Sequence, residues 1–324
     1  MSDTPFSRGS RAAPPVLTLG DPVPLADRVD NRVLIPPVEG PPPRPPGDHI
    51  QALDGRTMGT TWSVRAIGPR GLTEAALREA IERELATVVA LFSPWEPSSE
   101  ISRFNAAPPG MWAVSQPFWD QVEAALKVSG WGRLRMNREA RGLMQPGGMK
   151  LDLSGIAKGH AVDRVSDALA ALGATSHLVE IGGELKGRGV KPDAQPWWVE
   201  IERAEGDASP RTVAALFDLA MATSGDYRRA FRHEGRLYPH TIDGSTGRPV
   251  SNNLASVTVL HASAMKADAY ASALTVMGPF EGPEYAEAVG LAALFVERTP
   301  RGLVERMSPA FKAMMEDGAE AAPG

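Results

Sequence analysis

The sequence predicts an α+β fold, and three observations carry that prediction. Short segments with period-2 alternation, rich in Val, Ile, Thr and Trp, recur along the chain. Longer segments repeat their apolar residues every three to four positions, as amphipathic helices do. The two kinds mix without the regular βαβα rhythm that builds a doubly wound parallel sheet. No internal repeat is visible.

Residues 1–50 carry 12 of the 29 prolines, including Pro41-Pro-Pro-Arg-Pro-Pro46. Such a segment buries too little apolar surface to offset ordering entropy, so a disordered or extended Pro-rich tail is expected there. A globular domain is expected over residues 51–318, as one unit or as two intimately packed lobes. Clear patterning starts at Met58. Thr60 to Ile67 reads as a strand with Trp62, Val64 and Ala66 on one face. Thr73 is a plausible N-cap for a helix ending at Phe92, in which Leu77, Ile81, Leu85, Val88 and Phe92 share a face and Pro94 is the stop. A second helix is expected from about Pro117 to Val128, between Ser115 and Gly130.

The run Lys150-Leu-Asp-Leu-Ser-Gly-Ile-Ala-Lys-Gly159 reads as a short apolar strand and a Gly-containing turn, opening into a helix from about His160 to Leu172. Ser176 to Ile181 is a strand closed by Gly182-Gly183, and Trp197 to Glu202 and Val213 to Leu219 are further strands. Ala222-Thr-Ser-Gly-Asp226 reads as a small-polar turn. Ala255 to Leu260 is a strand leading into a helix from Ala264 to Met277, ended by Gly278-Pro279, and Ala292 to Glu297 is the last strand.

Composition narrows the function classes. Hydrophobic residues make up 43% and charged residues 23%, as in ordinary soluble proteins. A net charge of −5 argues against a nucleic-acid groove. No stretch approaches the ~18 apolar residues of a membrane-spanning helix. The absence of Cys excludes disulfides, thiolate metal sites, a Cys nucleophile and a lipid-modified Cys anchor. No apolar run follows a basic start as in a secretory signal, so a cytoplasmic location is expected. There is no Gly-x-Gly-x-x-Gly, no P-loop and no Gly-x-Ser-x-Gly elbow.

Four features could carry chemistry. The Gly-containing turn before the helix that starts near His160 lets backbone approach a ligand, and the N–H groups of that helix start suit a phosphate; strand–turn–helix joints without a ligand look the same. Asp268 and Ser272, at i and i+4, project oxygens from one helix face. A hard cation such as Mg²⁺ accepts such donors if ligand phosphates complete its shell, while a solvated Asp on an Ala-rich helix is the plainer reading. His240 lies in a loop dense in turn residues, where it suits either a general base oriented by Asp243 or a structural role. Lys158 suits phosphate or solvent, and His177, His233 and His261 show no ligand-like spacing.

Five blocks in register resemble the FAD:protein FMN transferases, the ApbE-type flavin transferases. They are Met58-Gly-Thr-Thr-Trp-Ser-Val64; Phe92-Ser-Pro-Trp-Glu-Pro-Ser-Ser-Glu-Ile-Ser-Arg-Phe-Asn105; Leu151 to Asp163 with Ile181-Gly-Gly-Glu184; Ala222 to Tyr227 with His240 to Gly247; and Ala267-Asp-Ala-Tyr-Ala-Ser-Ala273. The resemblance covers about residues 54 to 298. It implies mixed, largely antiparallel sheets flanked by helices, with flavin-nucleotide contacts at Met58, Trp95, Ser154, His160 and Ile242. The family usually has Tyr where this chain has His160. It further implies a magnesium site from the carbonyls of Ala157 and Ala271, the Asp268 carboxylate and the Ser272 hydroxyl, with His240 as catalytic base.

The activity so implied is magnesium-dependent transfer of FMN from FAD to a threonine hydroxyl of an acceptor flavoprotein, releasing AMP. An FAD- or acceptor-binding paralogue without transfer, or a Mg²⁺-dependent FAD pyrophosphatase, are the alternatives. One departure is visible: a family stretch of several dozen residues after the second helix is missing. Ala125-Leu-Lys-Val-Ser-Gly-Trp-Gly132 runs almost directly into Arg133-Leu-Arg-Met-Asn137. An open wall in the flavin pocket is therefore expected.

Overall fold

The computed structural model of the chain describes residues 31–37, 42–129, 134–204, 207, 209–225, 230–233, 236–239 and 241–320. Strands β1 (Asn31–Leu34), β2 (Gln51–Thr57) and β3 (Thr60–Ile67) precede helices α1 (Glu74–Phe92) and α2 (Glu100–Ala106). Strand β4 (Gly110–Ala113), helix α3 (Gln116–Ser129), and strands β5 (Met136–Asn137) and β6 (Gly142–Gln145) follow. Helix α4 (Ser154–Ala171) leads to β7 (Ser176–Ile181), β8 (Glu184–Arg188), β9 (Trp197–Glu200), β10 (Arg211–Leu216) and β11 (Leu219–Gly225). Two hairpins come next, β12 (Ala230–His233) with β13 (Arg236–Pro239) and β14 (Ile242–Asp243) with β15 (Arg248–Pro249). The chain then forms β16 (Leu254–His261), α5 (Ala264–Ala288), β17 (Ala292–Thr299), β18 (Gly302–Met307) and α6 (Pro309–Glu320).

The centre is an eight-stranded sheet in the order β18-β17-β16-β11-β8-β7-β3-β2, antiparallel at every step. The parallel pair β1–β10 belongs to a smaller sheet, β1-β10-β9. This is an α+β fold with largely antiparallel sheets. Alternation assigns the two faces of the large sheet. Val64, Ala66, Val179 and Ile181 pack against α1 and α4, while Ala222, Val257 and Val259 pack against α5. Ile67, Leu178, Leu185 and Met221 point the other way, onto Leu34, Trp197, Leu216 and Phe311 of the small sheet and α6. Because both faces are covered, β7 is buried along its whole length instead of alternating.

Local chemistry explains the helices. Thr73 caps α1, its hydroxyl accepting from the Ala76 N–H at 3.2 Å. Leu77, Ile81, Leu85, Val88 and Phe92 are all buried, each worth about 1.5–3 kcal/mol of transfer free energy. Ser263 caps α5 in the same way.

Several expectations need correction. Residues 150–153 form no strand, and α4 begins at Ser154 and not near His160, so Gly155 and Gly159 lie inside its first two turns. The segment read as one strand from Val213 to Leu219 is two, reversed at Phe217-Asp218, where Asp218 has φ 47°. Ala222 to Gly225 is strand and not turn; Asp226 lies outside the described residues. The helix after Ser263 does break at Gly278 (φ 83°, ψ −172°), but helix resumes to Ala288. The sequence signals miss strands β1, β2, β4, β5, β6, β8, β12 to β15 and β18 and helices α2 and α6. Of these, β1 falls within the stretch expected to be a tail. Among the described residues, no helix is long and apolar enough to cross a membrane.

Candidate functional site

The site is organised by the crossing of α4 on α5. Gly155 and Gly159 are four residues apart, so they share one face of α4. A Cβ at Gly155 would lie 2.7 Å from Ser272 Oγ, and one at Gly159 would lie 2.2 Å from the Ala264 carbonyl oxygen and 2.8 Å from Asp268 Cβ. Only glycine permits this approach. It places the start of α4 directly against the i, i+4 pair on α5. The Gly159 N–H donates to Asp268 Oδ2 at 2.9 Å. Asp268 is 4% exposed. Burial pushes its carboxyl pKa up, against the opposing pull of Lys158 and the Gly159 N–H.

Asp268 and Ser272 of α5 are thus set against Gly159 and Gly155 of α4, with Ser154 and Ala157 neighbouring these glycines in sequence and Ala271 on α5. The Asp152 carboxylate accepts from both the N–H (2.8 Å) and the hydroxyl (2.5 Å) of Ser154. The Ala271 carbonyl accepts from the Thr275 hydroxyl at 2.8 Å. The available donors are a carboxylate, a hydroxyl and main-chain carbonyls, all hard oxygens that suit Mg²⁺ better than a soft metal. No group of three or more His, Cys, Asp or Glu poised for a metal occurs among the described residues. A cation at the crossing would therefore depend on ligand oxygens to fill its shell.

Position 58 reaches this end of the sheet through a hairpin. Met58 (φ 47°) and Gly59 (φ 73°) form a two-residue turn with both residues left-handed. Beyond it, the Gly182 N–H donates to the Thr61 carbonyl at 3.0 Å. A Cβ at Gly182 would meet Thr60 at 2.8 Å and Lys158 Cδ at 3.4 Å. Lys158 is ion-paired with Glu184, which is 1% exposed. Its ammonium is thus engaged by protein, which sequence left open. On the neighbouring strand, Ser224 alternates onto the face that Ala222 turns toward α5.

His160 lies two turns into α4. Gln121 Nε2 is 2.9 Å from its Nδ1, and Phe92 lies nearly perpendicular to the ring at 5.7 Å between centroids. Burial, with help from Arg164, lowers its pKa to about 4, so the ring is neutral at pH 7. Trp95 and Ile242 are not drawn into the crossing. Trp95 is 90% exposed in the loop between α1 and α2, and Ile242 is 49% exposed on the β14–β15 hairpin. Asp243 accepts from the Ser245 N–H and hydroxyl and from the Thr246 hydroxyl, which lower its pKa. That carboxylate serves its own turn. His240 lies outside the described residues.

Two features escaped sequence reading. Gln121 gave no local signal, because its partner is 39 residues away. Asp163 accepts from Lys186 Nζ (2.7 Å), the Ser263 hydroxyl (2.7 Å) and the Ala264 and Met265 N–H groups. It ties α4, β8 and the N-terminus of α5 into one joint. An acidic residue at a helix start is a known preference, but here it comes from another helix.

Comparison with known proteins places the whole fold. The model of the ApbE family matches residues 58–129 and 115–295. A FAD:protein FMN transferase of Vibrio cholerae is 34% identical, covering 83% of this chain and 94% of its own. One from Haemophilus influenzae is 31% identical, covering 82% and 92%. Among solved structures, the apo form of Pseudomonas stutzeri flavinyl transferase ApbE superposes with a TM-score of 0.75 at 32% identity, covering 83% of this chain and 97% of its own. The Vibrio cholerae alignment spans 319 residues, whereas 83% of 324 is about 269, so roughly 50 positions of that relative have no counterpart here. The two family matches overlap at 115–129, on α3, which places the discontinuity beside that helix.

Proposed function

This chain belongs to the ApbE family, and from that premise we propose that it transfers FMN from FAD to a threonine hydroxyl of an acceptor flavoprotein, releasing AMP. The observation that carries the reading is the approach of Asp268 and Ser272 to the glycine-faced start of α4. Asp268, Ser272 and the carbonyls of Ala157 and Ala271 would hold a magnesium ion there. When bound, that ion supplies charge neutralisation to the FAD diphosphate.

The chain's own residues then orient and deprotonate. Met58, Trp95, Ser154, His160 and Ile242 contact the flavin nucleotide. His240 takes the proton of the acceptor threonine as its oxygen bonds to the FMN phosphorus. The diphosphate P–O bond breaks and AMP carries away the electron pair. Positioning and charge neutralisation suffice for such a transfer, so the absence of a cysteine nucleophile is no obstacle.

The roughly 50 positions absent beside α3 favour a second reading, in which an opened pocket admits water and the products are free FMN and AMP. Incubation with FAD, Mg²⁺ and a threonine-bearing acceptor decides between them. Covalent flavin fluorescence on the acceptor in a denaturing gel is expected. FMN and AMP without labelled acceptor establish hydrolysis instead, and neither product removes both readings.

A further inference from the structure

The surroundings of His160 define its hydrogen-bonding state. Gln121, on α3, is 5% exposed and its amide nitrogen faces Nδ1 at 2.9 Å. In this orientation of the amide its nitrogen donates, so Nδ1 accepts and the ring proton is assigned to Nε2. Nε2 is buried and has no hydrogen-bond partner among the described residues, and neither has Gln121 Oε1. The charged groups nearby are otherwise committed. Arg164 bonds Glu84 through Nε (2.9 Å) and Nη2 (2.5 Å), and Asp163 is held by Lys186 and Ser263. Phe92, nearly perpendicular to the ring, brings no oxygen or nitrogen acceptor.

A buried N–H without an acceptor is costly, and native proteins rarely leave one unless a ligand or water supplies the missing partner. We propose that Gln121 is a positioning residue that fixes His160 as the Nε2–H tautomer, so that His160 offers one N–H donor to an oxygen of the bound flavin dinucleotide. This rests on the reading of the site as an FAD site. The assignment differs from a packing role because it predicts which nitrogen carries the proton. A ring that merely filled space would have no such requirement.

Nitrogen-15 spectra of the imidazole in the full-length, ligand-free protein test the first half without any substitution at Gln121. The His160 signals are identified by their loss in His160→Tyr, and the Nε2–H form is expected. FAD titrations test the second half. Gln121→Leu should weaken FAD binding about tenfold and mix the tautomers. In the His160→Tyr background, where the ring has a hydroxyl and no tautomers, Gln121→Leu should change FAD affinity less than twofold. An Nδ1–H ring in the wild-type protein overturns the proposal, as do equal losses in both backgrounds. A wild-type protein that shows the Nε2–H ring but binds no FAD overturns the FAD reading and leaves the Gln121–His160 pairing intact.

Discussion

At the α4–α5 crossing, Gly155, Gly159, Asp268 and Ser272 are held by contacts that leave no slack, whereas Trp95 and Ile242, outside it on the rim of the fold, are 90% and 49% exposed and held by local turns. The crossing is a by-product of core packing, and its oxygens are fixed by the meeting of two helices. The rim is made of surface segments whose stability is local, and such segments vary with little cost to the fold. The discontinuity of roughly 50 positions lies beside α3. That helix touches α4 through Gln121 and His160, while the close approach of Gly155 and Gly159 to α5 is made without it.

The largest test of this contrast is Asp268→Ala. It should lower metal-dependent transfer by about 1,000-fold, on the order of 4 kcal/mol in the barrier, with the fold retained by circular dichroism. An unchanged magnesium dependence would remove Asp268 from the ion site. Acid titration probes the interior behind the crossing. His177 is fully buried, with Nδ1 bonded to the Ala174 carbonyl and Nε2 to the Ser166 hydroxyl, and burial lowers its pKa to about 4. The unfolded chain takes up this proton near its ordinary value of ~6.5 while the native state does not. The stabilisation is therefore complete above about pH 6.5 and is lost as pH falls toward 4. About 3 kcal/mol is at stake; urea melts between pH 7 and 4 should show it, and His177→Gln should flatten the slope.

Gly159→Ala comes next. Its Cβ would meet backbone at 2.2 Å, and overpacking of that kind costs roughly 1–3 kcal/mol. A variant as stable as the parent in denaturant would show that α4 and α5 can separate without penalty. The smallest effect belongs to the rim. Trp95→Ala should leave stability within about 0.5 kcal/mol while weakening FAD binding in a fluorescence titration. A marked loss of stability would mean that Trp95 is part of the core architecture after all.

Legibility in the sequence followed the range of the interactions. Helix α1 and strands β3, β7 and β16 were readable because cap, period and punctuation are local to each. The start of α4 was misplaced because Gly155 and Gly159 look like turn residues. Their role as a flat face for α5 exists only once the two helices meet. Strands β10 and β11 were merged because the reversal at Asp218 carries no glycine or proline. The i, i+4 spacing of Asp268 and Ser272 was visible, but the burial of Asp268 was not. Gln121 and Asp163 act across 39 and about 100 residues of chain, beyond any local pattern.

The first strand has a practical bearing on how this molecule is handled. Asn31–Leu34 lies parallel to β10, Arg32 pairs with Glu305 at 2.5 Å, and the Ile35 N–H donates to the Met314 carbonyl of α6 at 3.0 Å. The two ends of the fold are in effect buttoned together, with Leu34 fully enclosed. A recombinant version trimmed at the end of the proline-rich stretch would discard the button and expose a greasy seam on the face of the large sheet turned away from α4 and α5. Expression boundaries belong upstream of Asn31, and a carrier protein or affinity label is best joined beyond either fastening.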